Sequence, residues 1–175
     1  MVKTSKKQIM LDEKKLLSEL IKNAKENIDK IAKHCGFSRQ KAWRLIKQLE
    51  TQHLIWGYTA IFDEKKIDLT HYTLLIKSSA KPFTETTLNT IISRQLETIA
   101  AKQGITIESS AYIYGEYDWL LTFTAQDIIH AKKFADIILN LHPGVIEKTS
   151  IIQTLMFIKK QYILNPEKEK LKDFI

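Results

Sequence analysis

The sequence predicts an α+β protein: an N-terminal helix-turn-helix segment, winged-helix-like, then a linker strand, then a C-terminal ferredoxin-like βαββαβ segment. Three observations point to it. The positive charge is confined to one end, since residues 1–60 hold 13 Lys and Arg against 6 Asp and Glu, while residues 61–175 hold 14 of each. Apolar residues recur at helical spacing through the first segment, and in the second they switch between extended and helical periods. The turn between the second and third helical stretches is only about four residues long, which makes the two helices cross steeply. The segments read as 1–55 for the helix-turn-helix, 56–70 for a linker strand and hinge, 71–163 for the ferredoxin-like domain and 164–175 for a tail.

In the first segment Leu16, Leu17, Leu20 and Ile21 form one face of a helix that is expected to start near Asp12, a plausible N-cap, and to run out around Asn23. Asn27 can cap a short second helix with Ile28, Ile31, Ala32 and Cys35 inside. Gly36 ends it, because glycine takes the left-handed conformation that closes helices. Ser38 then caps a third helix, in which Ala42, Leu45, Ile46 and Leu49 fall at i, i+3, i+4 and i+7.

Gly57 sits among Trp56, Tyr58, Ile61 and Phe62 in a stretch free of Pro/Ser/Gly-rich linker composition, hence the linker strand. Beyond it Tyr72, Leu74 and Ile76 alternate as a strand, and a helix from about Thr84 to Gln103 carries Leu88, Ile91, Ile92, Leu96 and Ile99. Ile105, Ile107, Ala111 and Ile113 alternate again, and the turn YGEYD leads into the strand WLLTFTA. A helix with Ala131, Phe134, Ala135, Ile138 and Leu141 on one face follows, ended by Pro143-Gly144. One long β-prone run, VIEKTSIIQTLMFIKKQYIL, closes the domain, and the charge-rich end is either a short helix or a frayed tail.

The third helix carries the chemistry. Its outward residues are Gln40, Arg44, Lys47 and Thr51, with Arg39, Lys41 and Trp43 on the flanks. Arg can donate two hydrogen bonds to guanine, Gln can pair with adenine, and Lys neutralises phosphate, so the mixture suits double-stranded DNA. Residues near the start of such a helix reach base edges, which favours Arg39, Gln40, Trp43 and Arg44 for base contact and leaves Lys47 for phosphate. Lys30 and Lys33 on the preceding helix could clamp the backbone. Trp43 lies at the boundary of the two faces, where it either touches bases or packs on a neighbouring helix. A solvated basic face is the plain alternative, and it leaves the short turn, the Ser38 cap and the confinement of charge without a common cause.

No catalytic or metal site is expected. His34, His53, His71, His130 and His142 lack metal-ligand spacing, no GxSxG or P-loop occurs, and the lone Cys35 reads as a small buried apolar residue. No apolar run reaches the roughly 18 residues that span a bilayer, and the start lacks an apolar signal core, so a cytoplasmic protein with no membrane partner is expected.

LDEKKLLSEL, IAKHCGFSRQKAWRLIKQLE, LIWGYTAIFD, YGEYDWLLTF and HPGVIEKTS, in that order and spacing, resemble the Lrp/AsnC transcription regulators, also called feast/famine regulatory proteins. The resemblance covers roughly residues 11–160. It implies a regulator whose C-terminal domain, of the type called RAM, dimerises through its sheet and binds an amino-acid effector between subunits, with no other cofactor. Homodimers are implied, and tetramers or octamers are common in the family. Ser38, Gln40, Arg44 and Lys47 match DNA-facing places of the family's reading helix. Gly115, Tyr117 and Asp118, with Glu116 between them, match its effector loop, and Thr149 matches a place in the final strand. The helix 84–103 and the tail beyond Tyr162 are longer than a minimal member would need.

On its own terms GEYD is a hairpin turn with Asp118 bonding nearby amides. A carboxylate at a sheet end can also receive an α-ammonium while turn amides take an α-carboxylate. The alternative to an effector-controlled, sequence-specific regulator is a protein-interaction or nonspecific DNA-associating, chromatin-like module without an effector.

Overall fold

The computed structural model describes residues 6–81 and 84–175; residues 1–5 of the expected helix-turn-helix segment lie outside them. The chain forms two compact units, one running to Ile61 and including Ile158–Ile175, the other Phe62–Phe157.

The first unit holds α1 (Lys6–Leu20), α2 (Ile28–Cys35) and α3 (Arg39–Thr51). Leu16 and Leu20 from α1, Ile31, Ala32 and Cys35 from α2, and Ala42, Leu45 and Leu49 from α3 close one core. A fully buried Leu contributes about 1.5–3 kcal/mol, so a core this small depends on all three helices. Burial pushes the Cys35 thiol pKa up, in keeping with a packing residue. Asp12 is not the N-cap of α1: the helix begins six residues earlier and Asp12 lies inside it, almost buried. Its carboxylate takes hydrogen bonds from Gln8 Nε2 at 2.9 Å and Lys41 Nζ at 2.6 Å, so side chains satisfy it in place of backbone amides.

The expected linker strand does not form. No regular element occurs between Thr51 and a single 3-10 turn at Glu64–Ile67, and Trp56 is 95% exposed. A strand needs a neighbour to share its hydrogen bonds, and among the described residues this segment has none.

The second unit is a four-stranded antiparallel sheet of β1 (Thr70–Ser78), β2 (Thr106–Tyr112), β3 (Trp119–Ala125) and β4 (Ile146–Gln153), ordered β2-β3-β1-β4. With α4 (Glu85–Ile92), α5 (Gln95–Lys102) and α6 (Ile128–Leu141) the order of elements is that of a ferredoxin-like fold. Tyr72, Leu74 and Ile76 of β1 stand opposite Phe123, Leu121 and Trp119 of β3, on the face that α6 covers with Phe134 and Ile138. The Phe123 ring stacks on Tyr72 at 5.7 Å and meets Phe134 edge-on at 5.1 Å.

The single helix expected over 84–103 is two helices. Thr84 caps α4, and Arg94 at φ 59° separates it from α5. The left-handed residue lets α5 bury Ala100 in the core while α4, which buries no residue completely, turns away.

On the other face of the sheet His71 is nearly buried. Its Nε2 lies 3.0 Å from Glu108 Oε2, its Nδ1 lies 2.8 Å from Thr154 Oγ1, and Phe157 meets the ring edge-on. A bulge between Ile107 and Ser109 gives β2 the register that places Glu108 there.

The closing β-prone run is divided too. β4 stops at Gln153, and β5 (Lys159–Lys160) with β6 (Ile163–Leu164) makes a separate small hairpin in the first unit. Gln161 at φ 53° supplies its tight turn. A 3-10 helix, Lys168–Phe174, ends the chain, so of the two expectations for the tail the short helix is the one observed.

Candidate nucleic-acid interface

The angle between α2 and α3 is set by four residues. Gly36 at φ 65° turns the chain, and the Phe37 N–H donates to Ala32 O at 2.8 Å. The Ser38 hydroxyl accepts the Lys41 N–H at 3.2 Å and so caps α3, with its own O–H still able to donate to a partner. Asn27 caps α2 in the same way, accepting the Asp29 N–H at 2.8 Å.

The cations of this unit are not equivalent. Lys41 is turned inward: its ammonium is bonded to Asp12 and sits 4.2 Å from the centre of the Phe37 ring. Hydrogen bonds from Lys41 chiefly, against the cost of burial, hold the Asp12 carboxyl below the usual range, so the pair is ionised at neutral pH. Lys41 thus ties the first turn of α3 to α1. Arg39 pairs with Asp29 at 3.0 Å, Lys30 with Glu26 at 3.4 Å, and Lys47 with Glu50 at 2.8 Å. These pairs are exposed and weak, and a phosphate can displace the acid. Arg44 and Lys33 have no ion-pair partner among the described residues, and Gln40 has no side-chain hydrogen bond there. Trp43 is 56% exposed, with much of its indole on the outer surface of α3. The exposed surface of α3 therefore presents an unengaged guanidinium, an unengaged amide and an indole side by side.

Sequence reasoning missed Asp12 and Phe37. A signal existed for both: an acid inside a helix whose partner cation lies on another helix, and an aromatic in a turn that has no core face of its own.

In the second unit the loop Gly115–Asp118 joins β2 to β3. Asp118 is fixed from three sides: its N–H donates to Ile76 O at 2.9 Å, its carbonyl accepts the Ile113 N–H at 2.8 Å, and its carboxylate accepts the Ser78 N–H at 2.7 Å. Thus the acid bonds an amide forty residues away in sequence, not one of its own turn. That hydrogen bond, with Lys77 at 3.7 Å, holds the carboxyl below its usual range. Lys148 lies 3.9 Å from Glu116 and 5.6 Å from the centre of the Tyr117 ring. Glu116, Tyr117, Asp118, Lys77 and Lys148 therefore meet at one end of the sheet. Thr149 stands opposite Ile76 and faces the helices, whereas Lys148 stands opposite Lys77 on the other face, so Thr149 is separated from Lys148 by the sheet. Lys77 and Lys148 were not expected from the sequence.

No group of residues suited to hold a metal occurs among the described residues. None of the described helices is long and apolar enough to cross a membrane.

Comparison with known proteins gives a consistent picture. Residues 13–55 match the family described as winged helix-turn-helix DNA-binding. Over 142 residues the chain is 26% identical to the proline dehydrogenase transcriptional activator of Rhodobacter capsulatus, covering 80% of this chain and 86% of that one. An AsnC family transcriptional regulator from Agrobacterium tumefaciens superposes with a TM-score of 0.61 at 18% identity, over 88% of this chain and 95% of the other. The feast or famine regulatory protein of M. tuberculosis, solved with L-methionine, gives 0.65 at 15% identity, over 85% and 93%. The chain thus carries a helix-turn-helix of the DNA-binding type at its N-terminal end and shares, over most of its length, the fold of these regulators.

Proposed function

We propose that this chain is a sequence-specific DNA-binding transcription regulator, and not an enzyme, in which α3 enters the major groove and the αβ unit responds to an amino acid. The observation that carries the reading is the selective freedom of the polar groups on α3. Arg44 and Gln40, the two residue types that pair bidentately with guanine and adenine, are exposed and unengaged, while Lys41 is spent on holding the helix. Lys47, Lys30, Lys33 and Arg39 supply phosphate contacts, the paired ones exchanging an exposed carboxylate for the stronger anion. One such helix reads too few bases for useful specificity, so a homodimer addresses two half-sites about one helical turn apart, or a multiple of that. The exposed apolar surfaces of Trp56 and Tyr58 support pairing with a second copy. Assembly to tetramers or octamers is a further step of the same kind.

For the effector, the support is the end of the sheet where Tyr117, Asp118, Lys77 and Lys148 meet, together with the L-methionine complex of the M. tuberculosis protein. Lys148 suits an α-carboxylate. Asp118, kept ionised by the Ser78 amide, suits an α-ammonium. Glu116 and Gly115 border the position, and Thr149 reaches it only from the other face.

Selection of bound genomic fragments, with and without a pool of amino acids, tests both parts. Enrichment of a common half-site that depends on Arg44 supports base reading. Equal affinity for random duplex, or no loss in Arg44→Ala, favours the nonspecific alternative.

A further inference from the structure

The kink at Arg94 leaves a space. Because α4 turns away from the sheet while α5 and α6 stay packed, a cavity of about 90 Å³ opens within the αβ unit between α4 and the ends of β1 and β3. Its walls are apolar, built chiefly from Ile76, Ile91, Leu96, Trp119, Ile138 and Val145. An apolar void of this kind forfeits packing contacts on every wall and excludes water unless several polar partners are present.

The polar groups at its edge say what it would accept. Ser110 is taken by the Trp119 indole N–H at 2.8 Å, Thr90 donates to Thr86 O at 2.9 Å, the Thr87 hydroxyl is paired with that of Thr84 at 2.9 Å, and the Ser78 hydroxyl is engaged by the Asp118 carboxylate. Among the described residues Glu97 is the one acid in the lining and is already paired with Arg94 at 3.1 Å, and no Lys or Arg lines the cavity. His142 is half-buried and has no hydrogen-bond partner for its ring among the described residues, and burial pushes its pKa down, so the imidazole is neutral. A carboxylate would find no cation there, and an ammonium no spare anion. A hydroxyl would find one neutral donor or acceptor.

We propose that this cavity is a binding site for a small uncharged molecule with a branched alkyl group of about four or five carbons, its single polar group directed to His142. It is smaller than the ~150 Å³ void that takes a benzene ring, which sets the size. The site lies inside one subunit and is lined by neither Glu116, Asp118 nor Lys148, so it is distinct from the amino-acid position proposed above, although Ser78, whose amide holds Asp118, borders both. Filling it would replace the missing contacts under α4 and stabilise one arrangement of the kink.

Trp119 is the reporter. In the full chain carrying Trp43→Phe and Trp56→Phe it is the sole indole, and its fluorescence can be titrated with isobutanol, isobutylamine and isobutyrate. The expected result is a saturable change with isobutanol and binding at least ~10-fold weaker for both charged analogues, because either would bury an unpaired charge. Val145→Phe and Ile91→Phe, which fill the cavity from opposite walls, should each abolish the saturable response. His142→Phe should weaken isobutanol, and His142→Gln should restore part of the loss. A response that rises linearly without saturation would be a solvent effect and would overturn the site. So would an unchanged titration in either filled variant, provided circular dichroism shows it folded; if one fails to fold, the other decides. Equal binding of isobutyrate would overturn the assignment to an uncharged ligand.

Discussion

The two cores are built to different tolerances. In the helix-turn-helix unit Leu16, Ala42 and Leu49 are completely inaccessible, every helix contributes to the core, and a partly shielded ion pair ties α1 to the first turn of α3. In the αβ unit the sheet and α6 are packed as closely, with Phe123, Phe134 and Leu74 completely inaccessible, yet α4 leaves Leu88 and Ile92 in solvent and a void beneath it. A reading helix works only if its residues keep a fixed angle to the groove, so looseness there costs specificity directly. The sensing role proposed for the αβ unit requires one element that can settle in more than one way, and a helix without a fully buried residue is the least costly element to leave unsettled.

Five substitutions break or sharpen this contrast. Leu49→Ala should have the largest effect, about 2–5 kcal/mol lost from the helix-turn-helix by removing a fully buried side chain, read by denaturant unfolding followed through helical circular dichroism. A loss under 1 kcal/mol would mean that the three-helix core is not tightly packed. Arg44→Ala should leave stability unchanged and cost about 1–3 kcal/mol of discrimination between cognate and altered half-sites, measured by competition at fixed salt. Lys33→Ala should instead weaken all duplexes alike and reduce the steepness of the salt dependence, since it removes about one phosphate contact.

Asp12→Asn comes next. Its pair with Lys41 is only partly shielded, so about 1–2 kcal/mol is expected, less than for a fully enclosed pair. The sign with pH follows from the lowered Asp12 pKa: the contribution is complete above the ordinary value of 3.8 and disappears as pH falls through the lower folded value. Stability of the wild type and Asp12→Asn should therefore converge in acid, and parallel curves down to the unfolding limit would remove the ion pair from the account. Ile92→Ala, at a 76% exposed position of α4, should change stability by less than about 0.5 kcal/mol; a loss comparable to Leu49→Ala would show that α4 is as firmly seated as α3.

What the sequence revealed follows the same division. The second and third helices, the Gly36 turn and the Asn27 and Ser38 caps were legible because each depends on residues a few positions apart. The ferredoxin-like order was legible because periods of two and of about 3.6 residues alternate along the second half. The start of α1 was misread because its apolar face begins only near Leu16, which left Asp12 looking like a boundary; its real partner, Lys41, is 29 residues away. The break at Arg94 carried no Gly or Pro to mark it. The stretch around Trp56 has the composition of a strand but finds no ladder among the described residues, and pairing is not a property that one segment can display alone. In the Gly115–Asp118 loop the residues were legible while their commitments were not: the bond from Ser78 to Asp118 spans two strands.

The bulge in β2 bears on how the protein survives at high concentration. β2 is an edge of the sheet, where unpaired backbone groups invite a foreign strand to add and aggregation to begin. The irregular register at Ile107 and Ser109 interrupts that template, and the 3.0 Å contact of Glu108 with His71 anchors the interruption two strands inward. A slip of one residue that straightened the edge would take Glu108 to the opposite face and leave His71 without its acid, so the protection is held by the cost of losing that contact.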